Sequence, residues 1–321
     1  MYIVTGAAGF IGSALVWDLN QNGIEDILCV DEFGTSAKWK NLAQRKFTEF
    51  INKNELFLHL EDIDPEDIDA VVHLGACADT TETDMDFLFQ NNYLYSMELA
   101  TYCEEHGIPF IYASSAATYG DGKNGFDDAS DPQILVPMNP YGYSKLMFDR
   151  YMTKANPSNQ WVGLRFFNVF GPQEYHKQNM TSVVYKAFLQ IKESGQLKLF
   201  RSHRNDYEDG KQMRDFIYVK DITKWIIQIL NYNEINGIYN MGSGKARTWL
   251  DLAHAVFQAM GKEPKIEWID IPENIRNQYQ YFTEAKMQGL KKHDIGHCDY
   301  SLEEAINDYV GNYLSKEEPY L

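Results

Sequence analysis

The chain has 321 residues, is 44% hydrophobic and 23% charged, and carries a formal net charge of −17. That is enough apolar material for a substantial core in one large α/β unit or two domains. The acidity argues against nucleic acid, whose phosphates need a basic footprint, and an anionic ligand would have to be met by local cations. No apolar run approaches the ~18 residues of a membrane span. A strand pattern begins at once, leaving no room for a signal peptide, so the expected location is cytoplasmic. Cys29, Cys77, Cys103 and Cys298 lack C-x-x-C spacing and paired His ligands. They read as reduced core or near-core thiols, and no metal site is expected.

Tyr2–Thr5 is a short β-rich run, followed by Gly6, Gly9 and Gly12 at three-residue spacing and a helical pattern over 10–20. A strand that turns through glycines into a helix lets backbone N–H groups and the positive helix end meet a pyrophosphate. The spacing is G-x-x-G-x-x-G, and Asp31 closes the next apolar run about twenty residues on, where a ribose-binding acid belongs. A dinucleotide site is expected. Asp31 and Glu32 favour the free ribose of NAD; Lys38 or Lys53 reaching the same place would favour the extra phosphate of NADP. The residues alone leave both open.

Further strand-like runs fall at 57–60, 70–74, 109–113 and 161–166, alternating with helical patterns. That alternation predicts an α/β fold: a doubly wound parallel (Rossmann) sheet covered on both faces. After about Gly171 the pattern loosens, and strand character returns at 216–219 and 237–241. A smaller, interleaved C-terminal α/β substrate lobe is expected. The dinucleotide domain would then comprise 1–170 plus about 215–247, and the substrate lobe about 171–214 plus 248–321. His73 reads as a hydrogen-bonded core histidine. The small-residue loop Leu74, Gly75, Ala76, Cys77, Ala78 would let a cofactor lie close to the backbone. Asn91 and Asn92 are expected to begin a helix running to Cys103, as caps or cofactor contacts.

Ser114-Ser115-Ala116-Ala117-Thr118-Tyr119-Gly120 ends a strand, and Tyr141-Gly142-Tyr143-Ser144-Lys145 opens a helix expected over 144 to about 154. Tyr141 and Lys145, four apart, share a helix face. A phenol with a pKa near ~10 is a poor base at neutral pH. A neighbouring ammonium is expected to bring it toward the working range, while a serine hydroxyl shares the proton.

Together with Arg165-Phe166-Phe167-Asn168-Val169-Phe170-Gly171-Pro172 and Arg214-Asp215-Phe216-Ile217-Tyr218-Val219-Lys220-Asp221, these motifs resemble the extended short-chain dehydrogenase/reductase family, in its nucleotide-sugar branch. More specific likeness to the ADP-heptose 6-epimerases lies in G-A-C-x-x-T-T-E (75–82), A-S-S-A-A-T-Y-G (113–120), N-x-Y-G-Y-S-K (139–145), F-N-V-F-G-P-x-E-x-x-K (167–177) and Y-Q-x-F-T (279–283). The resemblance implies Tyr141 as one acid/base and Lys177 as a second on the opposite face, with Lys145 tuning Tyr141 and Ser115 orienting the reacting hydroxyl. Gly6, Gly9, Phe10, Ile11, Gly12, Asp31, Glu32, Lys38, Lys53, the loop 74–78, Asn91, Lys145, Val169 and Lys177 would bind the cofactor. Lys38 and Lys53 tilt it to NADP, with NAD possible. Ser115, Asn168, Asn179, Lys186, Phe200, Arg201, Ser202, His203, Arg214 and Tyr279 would hold an ADP-sugar. The stretch 201–212 is longer than the resemblance leads one to expect.

The implied reaction takes hydride from C6″ of an ADP-heptose and returns it to the other face of a 6″-keto intermediate, in lipopolysaccharide core synthesis. The resemblance also implies a homo-oligomer, a pentamer in this group. A 4,6-dehydratase would need carboxylates where Ala116 and Ala117 stand. A UDP-hexose 4-epimerase using NAD is the alternative enzyme, and a non-catalytic cofactor sensor would have lost Tyr141, Lys145 or Ser115.

Overall fold

The computed structural model describes residues 1–321 except 233, 277 and 278. Its strands are β1 (Tyr2–Thr5), β2 (Ile27–Asp31), β3 (Glu49–Asn52), β4 (Ala70–His73), β5 (Phe110–Ser115), β6 (Trp161–Phe166), β7 (Asn168–Phe170), β8 (Leu197–Phe200), β9 (Met213–Tyr218), β10 (Gly237–Met241), β11 (Ala246–Thr248) and β12 (Ile266–Ile269). Seven of them form an all-parallel sheet in the order β10-β6-β5-β4-β1-β2-β3. The chain runs outward from β1 to β3, returns to β4, and continues the other way. That reversal leaves a crevice beyond the carboxyl ends of β1 and β4, where ligands bind in such sheets.

The helices are α1 (Phe10–Gln21), α2 (Leu56–Leu60), α3 (Met85–Leu88), α4 (Tyr95–Glu105), α5 (Pro140–Ala155), α6 (Val183–Ser194), α7 (Val219–Leu230), α8 (Trp249–Ala259), α9 (Glu273–Arg276), α10 (Gln288–Lys291) and α11 (Leu302–Asp308). The strands are apolar on both sides because both faces are covered. Val4, Ile27, Cys29, Val72 and Ile111 pack with Leu15 and Leu19 of α1 and Ile222, Trp225 and Ile226 of α7. Their neighbours Ile3, Leu28, Val30, Val71 and Phe110 pack the other way, against Leu99 and Cys103 of α4 and Phe148 and Met152 of α5. Each such buried side chain contributes roughly 1.5–3 kcal/mol.

A third core joins α6, α8 and α11 to the small sheets β11-β9-β7 and β12-β8. This is the smaller α/β lobe, and it is interleaved: β10 returns to the main sheet between β9 and β11. Strand β9 pairs with β7 in parallel and β11 in antiparallel fashion, outside the main sheet.

Three local expectations are corrected. Residues 57–60 are helical, in α2, and the strand of that region is β3. The apolar run there follows a helix face: Leu56 and Leu60 are buried, whereas Leu58 is 69% exposed. Asn91 and Asn92 do not start a helix; they lie inside one that Asp84 caps at α3, within a π-turn stretch Phe89–Leu94. The helix carrying Tyr141 and Lys145 starts at Pro140, not 144, because Asn139 accepts the Gly142 N–H at 2.7 Å. All four cysteines are free, Cys29 and Cys103 buried and the other two partly so.

Candidate active site

A cleft of about 640 Å³ opens at the carboxyl end of the main sheet and reaches into the smaller lobe. Its floor is the β1–α1 turn. Gly6 adopts φ +67°, and a Cβ there would sit 2.7 Å from Gly75 N, so glycine lets the turn and the β4 loop approach. A Cβ on Gly12 would overlap the Gly6 carbonyl, which fixes helix against turn. The first intrahelical bond of α1 is Ser13 N–H to Gly9 O at 3.1 Å, and no side chain caps the helix. The bare N–H groups of the first turn therefore face the cleft, an arrangement that suits a pyrophosphate.

At the end of β2, Asp31 accepts from Ala8 N–H at 2.9 Å and Glu32 N–H at 2.6 Å, and pairs with Lys38 at 2.5 Å. Lys53 pairs with Glu32 at 3.2 Å and donates to Asn91 Oδ1 at 3.0 Å. The ribose corner thus holds two carboxylates and two lysines in alternation. Lys53 could turn to an added phosphate at the cost of a part-exposed ion pair, worth at most about 1 kcal/mol, whereas Lys38 would leave the buried Asp31 carboxylate to its two backbone donors.

The 74–78 loop is held by Asn92, which accepts from Cys77 N–H at 2.8 Å and donates to Cys77 O at 3.0 Å and Ser144 Oγ at 3.1 Å. Below it, Thr5 Oγ1 accepts from Gly75 N–H at 3.1 Å and contacts His73 Nδ1 at 2.6 Å, while His73 Nε2 meets Ser96 Oγ at 2.8 Å. His73 is a satisfied core histidine. Burial pushes its pKa down to about 3, so the ring is neutral.

Tyr141, Lys145 and Ser115 come together on the cleft wall. Contrary to the expectation for Tyr141, its pKa is raised: burial dominates, and the Ser115 hydroxyl opposes it. Lys145 is committed elsewhere, donating to Ala113 O at 3.1 Å, and burial lowers it to about 8 despite the Asp149 charge. In this state the phenol holds its proton. Lys177 enters from a separate element, the 3₁₀ turn Tyr175–Met180, with its ammonium 5.3 Å over the Phe10 ring. Burial lowers its pKa, Glu174 raises it and Lys186 lowers it.

Gly6, Gly9, Phe10, Ile11, Gly12, Asp31, Lys38, Leu74, Gly75, Ala76, Ala78, Ser115, Tyr141, Lys145, Asn168, Val169 and Lys177 all line the cleft. Glu32, Lys53, Cys77 and Asn91 stand behind that lining, tied to it by the bonds above. Lys186 donates to Asn179 O at 2.6 Å on the rim beyond Lys177. Arg214 and Tyr279 lie behind Trp249, which does line the cleft; Trp249 Nε1 donates to Tyr279 OH at 2.9 Å, and Arg214 sits 5.7 Å over its ring. Phe200 packs edge-on against Tyr279 at 6.1 Å. Arg201 faces Asp209 and Asp270 at 4.0 Å, Ser202 N–H donates to Asp209 at 2.8 Å, and His203 N–H donates to Tyr281 OH at 3.0 Å. The loop 201–212 is thus folded on itself beside the lobe.

Sequence reasoning missed Trp249, His176 and Gln280, which also line the cleft. Trp249 follows a capping-box threonine and reads as helix start, and His176 was hidden beside Lys177 in the same motif.

The family model described as "NAD dependent epimerase/dehydratase family" matches residues 2–242. A relative from Nitratidesulfovibrio vulgaris, "ADP-L-glycero-D-manno-heptose-6-epimerase", is 51% identical with 100% of both chains covered. One of the same description from Fusobacterium nucleatum is 47% identical, again over 100% of both. The crystal structure of Helicobacter pylori ADP-L-glycero-D-manno-heptose-6-epimerase is 28% identical, superposes with a TM-score of 0.80, and is matched over 97% of this chain and 95% of that one. The glycine turn, the strand-end Ser115 and the helix-borne Tyr141 and Lys145 thus sit in a chain that belongs to the NAD dependent epimerase/dehydratase family.

Proposed function

We propose that this chain interconverts ADP-D-glycero-β-D-manno-heptose and its L-glycero isomer by inverting C6″ through a 6″-keto sugar. The observation that carries the reading is one cleft lined by two titratable side chains from different elements, Tyr141 on α5 and Lys177 on a separate turn, in a chain that matches heptose epimerases end to end. The chemistry supplied by a bound nicotinamide is reversible hydride transfer. Inversion needs a proton acceptor for each configuration of the hydroxyl, and Tyr141 and Lys177 fill those two roles. Ser115, within reach of the Tyr141 phenol, orients the reacting oxygen. Ala116 and Ala117 line the cleft where elimination would require carboxylates, which supports epimerisation over dehydration.

We assign NADP as the preferred cofactor. Lys38 and Lys53 at the ribose corner support it, each able to exchange a carboxylate partner for the 2′-phosphate. The nucleotide end of the sugar is assigned to the Trp249–Tyr279–Arg214 cluster and the loop from Phe200 to His203. A homo-oligomer, pentameric by resemblance, acting in the cytoplasm on heptose for lipopolysaccharide core completes the proposal; light scattering on the purified protein tests the assembly.

The deciding experiment follows C6″ configuration by NMR in purified enzyme given ADP-D-glycero-β-D-manno-heptose. Appearance of the L-glycero isomer is expected, with Tyr141→Phe and Lys177→Met each slowing it about 10²-fold or more. No inversion together with turnover of UDP-galactose would overturn the heptose reading and leave the family.

A further inference from the structure

Glu174 is a carboxylate with no exposed surface, placed three residues before Lys177 in a segment of unusual backbone. Gln173 and Gln178, on either side of this turn, are non-glycine residues at φ +83° and +49°. Such conformations cost of order 1–3 kcal/mol each and persist only where the surroundings over-determine them. Glu174 supplies that determination. Its Oε1 accepts from Ser182 Oγ at 2.7 Å, Tyr309 OH at 3.0 Å and Gly171 N–H at 3.4 Å, and its Oε2 from Ser182 N–H. Ser182 is also the N-cap of α6, accepting from Tyr185 N–H at 3.2 Å. Tyr309 belongs to the helix that continues α11. One carboxylate therefore ties both ends of the Lys177 loop together and fastens them to the C-terminal helix. The loop's first turn is closed by Lys177 N–H donating to Glu174 O at 3.0 Å.

We infer that Glu174 is a positioning residue for Lys177: its buried carboxylate fixes the place of the loop and sets a negative charge in the surroundings of the Lys177 ammonium. This rests on the reading of Lys177 as one of the two acid/base groups. Burial raises the pKa of Glu174, and the Ser182 N–H and hydroxyl, the Lys177 charge and the Tyr309 hydroxyl all act against that rise, in favour of the ionised form. The titratable groups facing it are Tyr175 and Lys177 on its own turn, Tyr185 and Lys186 from α6, and Tyr309. Around Lys177 the others are His176 and Lys186, which cannot replace a lost anion.

The test uses the full-length enzyme with its cofactor and two readouts. The first is the pH dependence of Lys177 acylation by a trace amine reagent, read by mass spectrometry, which needs no substrate. In Glu174→Gln the Lys177 titration is expected to move down by about one unit, the scale of losing a nearby opposite charge. The second is steady-state epimerisation: kcat falls about tenfold with KM and cofactor affinity within about twofold, and Glu174→Asp recovers part of the loss. Tyr309→Phe, which keeps the charge and loosens the tie, lowers kcat without moving the Lys177 titration; it also serves if Glu174→Gln does not fold. An unmoved titration in folded Glu174→Gln, or unchanged kcat in both variants, overturns the inference. If the wild-type enzyme fails to invert C6″, the functional reading falls, while the acylation titration still decides the charge role of Glu174.

Discussion

Lys145 lies under Tyr141 on one stripe of α5, and burial brings its pKa down to about 8. Protonated, it offers the ammonium that α5 places on the cleft wall one turn from Tyr141; deprotonated, it loses that charge. Because kcat/KM reports groups of the free enzyme, it is expected to fall as pH rises through about 8 and the ammonium is lost. In Lys145→Met the whole profile drops and that inflection disappears, which a pH–rate series in both proteins will show. At the ribose corner, Lys38→Ala and Lys53→Ala should each weaken NADP binding about tenfold, the ~1.4 kcal/mol of one charge-assisted contact. NAD binding should hold or improve, since Asp31 and Glu32 then face the ribose unopposed. Titration of both cofactors into each variant checks this, and equal losses for the two would remove the case for NADP.

At the scale of elements, α5 is set by its first turn. Asn139 caps it, Pro140 occupies the position that has no use for an N–H, and Asn156 closes it in a left-handed conformation at φ +44°. Asn139→Ala is expected to cost about 1 kcal/mol and to fray the turn holding Tyr141, lowering kcat more than it lowers the urea midpoint. The start of α5 is written in local chemistry, the Asn139 cap and Pro140, which a helix expected from 144 leaves unused. The parallel sheet was legible because its strands are short apolar runs between helices. Edge strand β3 was not, since Glu49 and Asn52 give it only two apolar residues, and a short apolar run at 57–60 cannot be told from a helix by periodicity. Asn92 illustrates a different limit. Its partners Cys77 and Ser144 are 15 and 52 residues away in sequence, so its role depends on tertiary contact that no local pattern announces. The same holds for Glu174, present in the motif read from the sequence but silent until Tyr309 and Ser182 were seen against it.

For the whole molecule, the acidic field of −17 is answered where the ligand binds, by Lys38, Lys145 and Lys177 on the cleft and Lys53 behind it. The scaffold that presents them turns on a buried ion pair. Asp149 and Arg165 have no side-chain exposure and meet at 2.8 Å. Tyr112 OH donates to Asp149 at 3.2 Å, Arg165 donates to Tyr119 OH at 3.0 Å, and Tyr119 OH donates to Asn240 Oδ1 at 2.7 Å. One network therefore joins α5, β5, β6 and β10, and Asp149 follows Tyr141 and Lys145 on the same helix stripe. Replacing Asp149 with Asn keeps the volume and leaves Arg165 as an uncompensated buried charge, for which the expected destabilisation is about 3–5 kcal/mol. The same change removes the anion that raises Lys145, so the alkaline inflection should move below pH 8 in whatever fraction remains folded. Urea denaturation and the pH profile read these two effects separately. A large loss of stability with an unmoved inflection would show that the pair serves only the scaffold, whereas movement of both would show that the fold's central ion pair also sets the charge on the lysine beneath Tyr141.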